Sequence, residues 1–365
     1  MKASRISLAA LLLLALPQAR DWKRVLPGLA LAYPRDHGAH PAYRTEWWYL
    51  TGNLAAASGR RFGFQLTIFR RGLDPRPPAP GASALRARHV WAGHMAITDI
   101  ERHRTFFAER LRRGGTPLAH ASTEDLDLVL EDWTLSRSAD DRLLLSAADP
   151  ASAMALELEL VPRKPPVLHG VAGYSRKGRE PGNASAYMSW TRLSAAGRLS
   201  LGELDLRVTG AAWFDHEFGS SVLDGGIVGW DWFGLQLDDG RELMAYFLRD
   251  ADGHSSPVSA GTLVERDGYV RNLGAADLAV EVRGTWQSPR SGAAYPARWT
   301  LTVPSAELRL DVVPLVADAE LETGGSTGVV YWEGPVGVSG SATGRGYGEL
   351  TGYAGPLGAE WHRVW

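Results

Sequence analysis

Apolar residues recur at every second position, between clusters of Gly, Asp, Asn and Pro, along most of this 365-residue chain. That is the period at which side chains alternate between the two faces of a β-strand, and beyond the N-terminal leader no long stretch shows the helical period. In RRFGFQLTIFRR, Phe62, Phe64, Leu66 and Ile68 share one face; Leu126, Leu128 and Leu130 do so in LDLVLEDW, and Leu156, Leu158 and Leu160 alternate with Glu157 and Glu159. These runs read as half-buried strands. Asp239-Gly240 and Asp267-Gly268 mark hairpin turns, and the strands RWTLTVP, ELRLDVVP and GRGYGELTGY follow at short spacing. The predicted class is all-β, with antiparallel meanders closing into barrels or sandwiches.

A faint internal repeat refines this. WWYLTGNL (47 to 54) aligns with WDWFGLQL (230 to 237), matching Trp47 with Trp230, Asn53 with Gln236 and Leu54 with Leu237. After a turn each copy leads to an apolar strand ending in Arg70 or Arg249, and each half carries a similar closing phrase, VTG at 208 to 210 and LTG at 350 to 352. The expected organisation is two copies of one β unit, 21 to 218 and 219 to 365, after a leader at 1 to 20. The seam falls near 205 to 225, and clefts between such units are common ligand sites. Two irregular segments, 73 to 88 and 169 to 190, read as long loops, the second suited to crossing a barrel mouth.

Charge and cysteine content narrow the function. Acidic and basic residues nearly cancel, to a net charge of −2, and no run of like charge marks a nucleic-acid or anionic-membrane surface. With no cysteine, disulfides, thiolate nucleophiles and zinc-cysteine sites are excluded. Lys2 and Arg5 precede an apolar run from Leu8 to Leu16, too short to span a bilayer but suited to a secretory signal, so the expectation is a periplasmic or secreted protein, cleaved or held by an uncleaved anchor.

GAAWFDHEFGSS (210 to 221) sets Asp215, His216 and Glu217 side by side at the seam. In an extended strand His216 shares a face with Phe214 and Phe218, while Asp215 and Glu217 share the other with Trp213, so the three cannot converge on one point. They read either as a hydrogen-bonded corner or as members of a site completed from elsewhere. Asp231 falls on the face of Phe233, Leu235 and Leu237, where apolar surroundings would raise its pKa and fit it to donate a proton; the other reading pairs it with an arginine that locks the seam. Glu46, before Trp47-Trp48-Tyr49, invites the same two readings. The 14 tryptophans, many beside acids, could line a pocket for an apolar or polyene ligand and stabilise a carbocation, although core packing accounts for most of them. Asp36, His37 and His40 in DHGAH could ligate a metal with one more donor, but no second cluster completes the set. His94 and His169 read as satisfied core or loop residues, and there is no H-E-x-x-H, nucleophile elbow or P-loop.

Together, DHGAHPAYRTEWWYLTGNL, FGFQLTIFRR, HMAITD, PPVLHG with GYSRKG, AWFDHEFGSS, GWDWFGLQLDDGRELMAYFLR and YWEGPVGVSG resemble the AttH and carotenoid 1,2-hydratase (CrtC)-like group of bacterial proteins, from about residue 36 onward. The resemblance implies two tandem lipocalin-like antiparallel β-barrel domains. It also implies several functions, since relatives include carotenoid hydratases, proteins similar to fungal cyclisation catalysts, and components encoded beside lipid-handling ABC-transporter permeases. Two positions depart from the group: Phe218 stands where Trp is frequent, and Val171 where an acid often follows HG.

The leading expectation is an exported protein that holds a lipid or isoprenoid against Trp47, Trp48, Tyr49, Trp213, Trp230, Trp232 and Tyr246, with an ABC-transporter permease as a possible partner. The alternative is a hydratase in the same pocket. There a protonated Asp231 or Asp215 would donate to an alkene and His216 or Glu217 would position water, without metal or organic cofactor. A third reading makes the chain the soluble partner of a membrane transporter, its aromatic phrases serving only the core.

Overall fold

The computed structural model describes residues 21–76, 81, 83, 86–220 and 223–357; the leader lies outside them. Among these residues the regular structure is β-strand, with three single-turn 3-10 helices and no α-helix. All strand pairing is antiparallel, in two sheets. The first runs, in order of neighbours, through Arg104–Arg113, His89–Asp99, Arg61–Gly72, Thr45–Ala56, Leu204–Gly219, Ala184–Leu201, Met154–Pro162, Leu143–Asp149, Trp133–Arg137, Asp127–Leu130 and Ala119–Ala121, and curls into a nearly closed barrel. The second runs through Val270–Gly274, Ala260–Val264, Glu242–Asp250, Ile227–Leu237, Gly344–Leu350, Val330–Gly340, Leu308–Pro314, Ala294–Val303 and Ala279–Gln287, and forms a half-barrel.

The alternation seen in the sequence decides which face packs where. Trp48, Leu50, Leu54, Phe62, Phe64, Leu66 and Ile68 point into the first barrel, and Phe233, Leu235, Leu237, Trp299 and Trp332 fill the concave face of the second sheet. The opposite faces carry large side chains too, and these meet each other. Tyr49, Tyr187, Trp213, Trp232, Met244, Tyr246, Leu248 and Tyr347 form a third buried cluster between the sheets. Burying one such side chain fully contributes about 1.5–3 kcal/mol, so this shared layer is a substantial part of the molecule's stability. A Cβ at Gly63 would stand 2.8 Å from Pro335 Cγ and from Tyr347 Oη, which shows how closely the sheets approach.

The repeat is visible in the register. Tyr49 pairs with Thr67 and Asp215 on its flanking strands, and Trp232 pairs with Tyr246 and Glu349 on its own. Extending the match makes Tyr187 equivalent to Tyr331, Ser189 to Glu333, Asp215 to Glu349 and Glu217 to Thr351. The phrases VTG and LTG are not equivalent, because Leu350 corresponds to His216 and not to Val208. Short phrases of strand residues repeat by chance, whereas cross-strand register fixes position. Equivalent residues also bridge the sheets reciprocally: Asn53 Nδ2 donates to Gly346 O at 3.2 Å, and Gln236 Nε2 donates to Ala212 O at 2.9 Å and Thr191 O at 2.8 Å.

Candidate functional site

The outward faces of the two sheets enclose a cavity of about 230 Å³ between them. Its side chains come in rungs two residues apart along the strands, as the pleat dictates. At one end lie Arg71, Thr45 and Gly219, beside Arg44; the next rung is Phe69, Trp47, Glu217 and Tyr187, and the one below it Thr67, Tyr49 and Asp215. The second sheet contributes Leu248, Trp230 and Thr351, then Tyr246, Trp232, Glu349 and Glu333. Half-exposed Arg44, Thr45, Trp47, Leu223 and Trp230 mark the end that opens to solvent. Buried Trp213, Met244 and Tyr347 close the floor.

Carboxyl groups concentrate in the deep part. Asp215 accepts hydrogen bonds from Tyr187 Oη (2.7 Å), Trp213 Nε1 (2.6 Å) and Ser189 Oγ. Burial nevertheless outweighs these three donors and, with Glu217 nearby, pushes Asp215 up to about 7. Behind it a polar chain continues: His169 Nε2 lies 2.6 Å from Ser189 Oγ and its Nδ1 2.8 Å from Thr262 Oγ1. The tautomer that satisfies all these groups has His169 donating to Ser189 and accepting from Thr262, and burial keeps the ring neutral, down to about 3. Trp232 Nε1 donates to Tyr187 Oη at 3.1 Å, so Asp215 is held by groups from both sheets.

Across the cavity, Glu349 and Glu333 stand directly opposite each other on adjacent strands. Burial raises Glu349 to about 7, with Asp215 and Glu217 adding to it against the hydrogen bond from Trp230 Nε1 (3.1 Å). Burial and the neighbouring Glu349 push Glu333 well above the usual carboxyl range, although Tyr49, Tyr331 and Gln65 surround it. Two like carboxyls this close cannot both ionise, so the pair keeps a proton near neutral pH. Among the described residues, Glu333 Oε1 and Tyr49 Oη are buried without a hydrogen bond of good geometry, although the two groups lie close enough to interact with each other. Such groups are the ones a bound molecule would satisfy. Nearer the mouth, Lys177 Nζ lies 3.1 Å from Glu217 and 4.3 Å from the Tyr246 ring centroid, and the Glu217 charge outweighs burial to keep Lys177 cationic. His94, on the strand next to Thr67, is 2.8 Å from Tyr331 Oη and 2.9 Å from Ser326 Oγ, tying a turn of the second half to the first sheet.

The model of the family described as AttH-like matches residues 24–353. The chain belongs to the AttH-like family. A solved AttH-type protein from Nitrosomonas europaea shares 35% identity with it at a TM-score of 0.82, covering 91% of this chain and 99% of that one. Kievitone hydratase from Nectria haematococca has the same fold at 14% identity and a TM-score of 0.67, covering 94% and 98%. CghA, solved with Sch210972, matches at 13% identity and a TM-score of 0.52, covering 86% and 89%. Among curated proteins none matches.

In this AttH-like chain, Asp215, Glu217, Trp47, Tyr49, Trp230, Trp232 and Tyr246 line the cavity, and Trp213 touches it through Asp215. Three expected site residues lie elsewhere. Asp231 is not among the residues lining the cavity and pairs with Arg249 (2.8 Å) and Tyr353 Oη (3.0 Å); burial raises it against the Arg249 charge. Trp48 faces the barrel interior, stacked at 4.8 Å on His216. His216 Nε2 lies 3.0 Å from Glu46 Oε1, in a buried network with His40, Asp36 and Arg70.

One ligand atom each from His40, Glu46 and His216 lie within 4.8 Å of one another, a spacing a cation could bridge. Arg70 Nε, however, already sits 2.9 Å from Glu46 Oε2 and supplies the positive charge. His37 is apart, stacked on Trp190. Of the two departures from the family pattern, Phe218 stacks on His40 at 3.6 Å and Val171 is 77% exposed, so neither alters the cavity wall. Sequence reading passed over Tyr187, Lys177, Glu333 and Glu349 as site residues. The signal for Glu349 was the repeat itself, which puts it where Asp215 stands.

Proposed function

We propose that this protein is an acid–base catalyst that adds water to, or removes it from, a carbon–carbon double bond of a largely apolar molecule held between the sheets. The observation that carries this reading is the pair of carboxyls raised to about 7, Asp215 and Glu349, on equivalent strands of one aromatic-walled cavity. A site that only stored a lipid would gain nothing from four carboxyl groups in its lining, because each costs desolvation. A general acid and a general base both work best with a pKa near the working pH.

In this reading protonated Glu349, with one donor on it and Glu333 beside it, delivers its proton to one alkene carbon. The tertiary cation left on the other carbon lies among the faces of Trp232, Trp230, Tyr49 and Tyr246. Water adds to the cation and passes a proton to ionised Asp215, whose oxygens Tyr187, Ser189 and Trp213 hold in place. Solvent exchange returns the proton to Glu349. Kievitone hydratase, which shares the fold, is named for the same class of reaction. Export, from the leader at 1–20, belongs to the same reading and is checked by cell fractionation.

The test is incubation with an acyclic isoprenoid alkene in D2O. Deuterium on the alkene carbons, or alcohol product with one added water, is expected by mass spectrometry. Asp215→Asn and Glu349→Gln should each lower that rate by about 10²–10⁴ while leaving binding intact. Equal rates in the variants would refute the assignment, and bound but unchanged alkene would return the protein to a carrier role.

A further inference from the structure

Two hydrogen-bonded chains lead away from the acids of the cavity, and they end differently. Behind Asp215 the chain through Ser189 and His169 reaches Thr262, which is buried. Behind Glu333 the chain goes further. Tyr331 stands two residues before Glu333 on the strand Val330–Gly340, so the two side chains leave the same face and interact. Tyr331 Oη lies 2.8 Å from His94 Nδ1, His94 Nε2 lies 2.9 Å from Ser326 Oγ, and Ser326 Oγ donates to Glu109 Oε2. Glu109 Oε1 in turn accepts from Gly325 N at 2.8 Å, in an exposed turn. Glu333, Tyr331 and His94 line the cavity; Ser326 and Glu109 do not, and both are partly exposed.

Every member of this chain can both give and take a proton. With the His94 hydrogen on Nε2, all donors point outward, from protonated Glu333 through Tyr331, His94 and Ser326 to the Glu109 carboxylate. With it on Nδ1 and the hydroxyls turned, all point inward. Phe69 and Phe107 meet the imidazole edge-on at 5.2 and 5.7 Å, and burial keeps the ring neutral, down to about 3. Protons therefore pass through it by exchange of tautomers, without a charge resting on the ring. A tie between the two halves needs only one of these bonds, and an apolar contact would serve it without burying an imidazole.

Building on the hydro-lyase reading, we propose that Tyr331, His94, Ser326 and Glu109 conduct protons between Glu333 and solvent while the cavity is occupied. An apolar molecule seated between the sheets excludes water from the deep acids, and the mouth is then no route for a proton. Inward, Glu109 takes a proton from water and gives it to Ser326 Oγ, and Ser326 passes its own to His94 Nε2. Nδ1 releases one to Tyr331 Oη, and Tyr331 gives its proton to Glu333, from which it reaches Glu349 directly opposite. Each member gives one proton and takes one, so the chain itself is unchanged in charge. His94 is thus a relay and not the acid that meets the alkene.

The test reads exchange of the Glu333 carboxyl hydrogen by stopped-flow infrared spectroscopy, as its carbonyl stretch shifts on mixing the full chain with D2O; the band is identified by its loss in Glu333→Gln. Decane, which has no double bond to protonate, fills the cavity, its occupancy followed by tryptophan fluorescence. His94→Ala should slow the exchange about 10²-fold, and imidazole should restore it by entering the vacated space, whereas 1-methylimidazole, with one nitrogen blocked, should not. Ser326→Ala should slow it similarly; Ser326 is partly exposed, so this variant keeps the test open if His94→Ala fails to fold. Absence of the band, exchange as fast in the variants as in the parent, or slow exchange in His94→Ala that imidazole does not restore would overturn the inference. Hydration of the acyclic isoprenoid by the same variants separates the two ideas: exchange that needs His94 without hydration sinks only the catalysis, and hydration with exchange indifferent to His94 sinks only the relay.

Discussion

Asp215 shows how one residue can carry both a function and its cost. Its carboxyl is raised chiefly by burial, so the folded state binds a proton that the unfolded chain releases at lower pH. The contribution to stability is therefore full below the ordinary carboxylate range and is lost as pH rises through about 7. Asp215→Asn removes that loss. Between pH 4 and pH 8 the variant should give up less stability than the parent, by up to roughly 4 kcal/mol, measured by urea unfolding at each pH. Activity runs the other way: with Asp215 as base and Glu349 as acid, both near 7, kcat/KM should fall on either side of neutrality. That Asp215 and Glu217 face away from His216 followed from strand alternation alone. That they face a cavity did not, because nothing in WFDHEF says what packs on either side. Asp231 is the converse case. Its neighbours Phe233 and Leu235 located it correctly in an apolar layer, and there it pairs with Arg249, the second of the two readings its sequence allowed.

At the level of elements, the paired strands Thr45–Ala56 and Arg61–Gly72 are pinned at one end by Glu46 opposite Arg70. Burial alone would raise Glu46, but the Arg70 charge and the hydrogen bonds with His216 and His40 outweigh it and hold the carboxyl far below its usual range. The stability this lends is present above the unfolded pKa of about 4.3 and lost as pH falls toward the folded value. Arg70→Met leaves Glu46 charged, buried and without its cation, and should cost about 3–5 kcal/mol, with acid unfolding beginning at a higher pH by far-UV circular dichroism. The strands themselves were legible, since a side-chain period of two is dictated by backbone geometry and survives any packing partner. Less legible was the closure of the sheets. A nearly closed barrel and a half-barrel differ in how strands far apart in sequence meet, and alternation carries no information on that.

At the scale of the whole molecule, the sheets are held together by the aromatic layer and by the exchange of hydrogen bonds from Asn53 and Gln236. Truncating either removes hydrogen bonds between the sheets. Asn53→Ala should cost about 1 kcal/mol and Gln236→Ala, which removes two such bonds, about twice that, read from thermal or urea unfolding. The reciprocal exchange is the contact pattern of an isologous homodimer, here written into a single polypeptide. In a true homodimer every group near the axis appears twice, and a donor on one side is matched by the same donor on the other. Fusing the copies frees the two members of each pair to drift apart chemically. Ser189 answers to Glu333 and Glu217 to Thr351, so one wall presents a carboxylate fixed by hydroxyls while the other presents two acids sharing a proton. Covalent linkage of the copies thus gives a nearly symmetric frame the polarity that an asymmetric reaction requires.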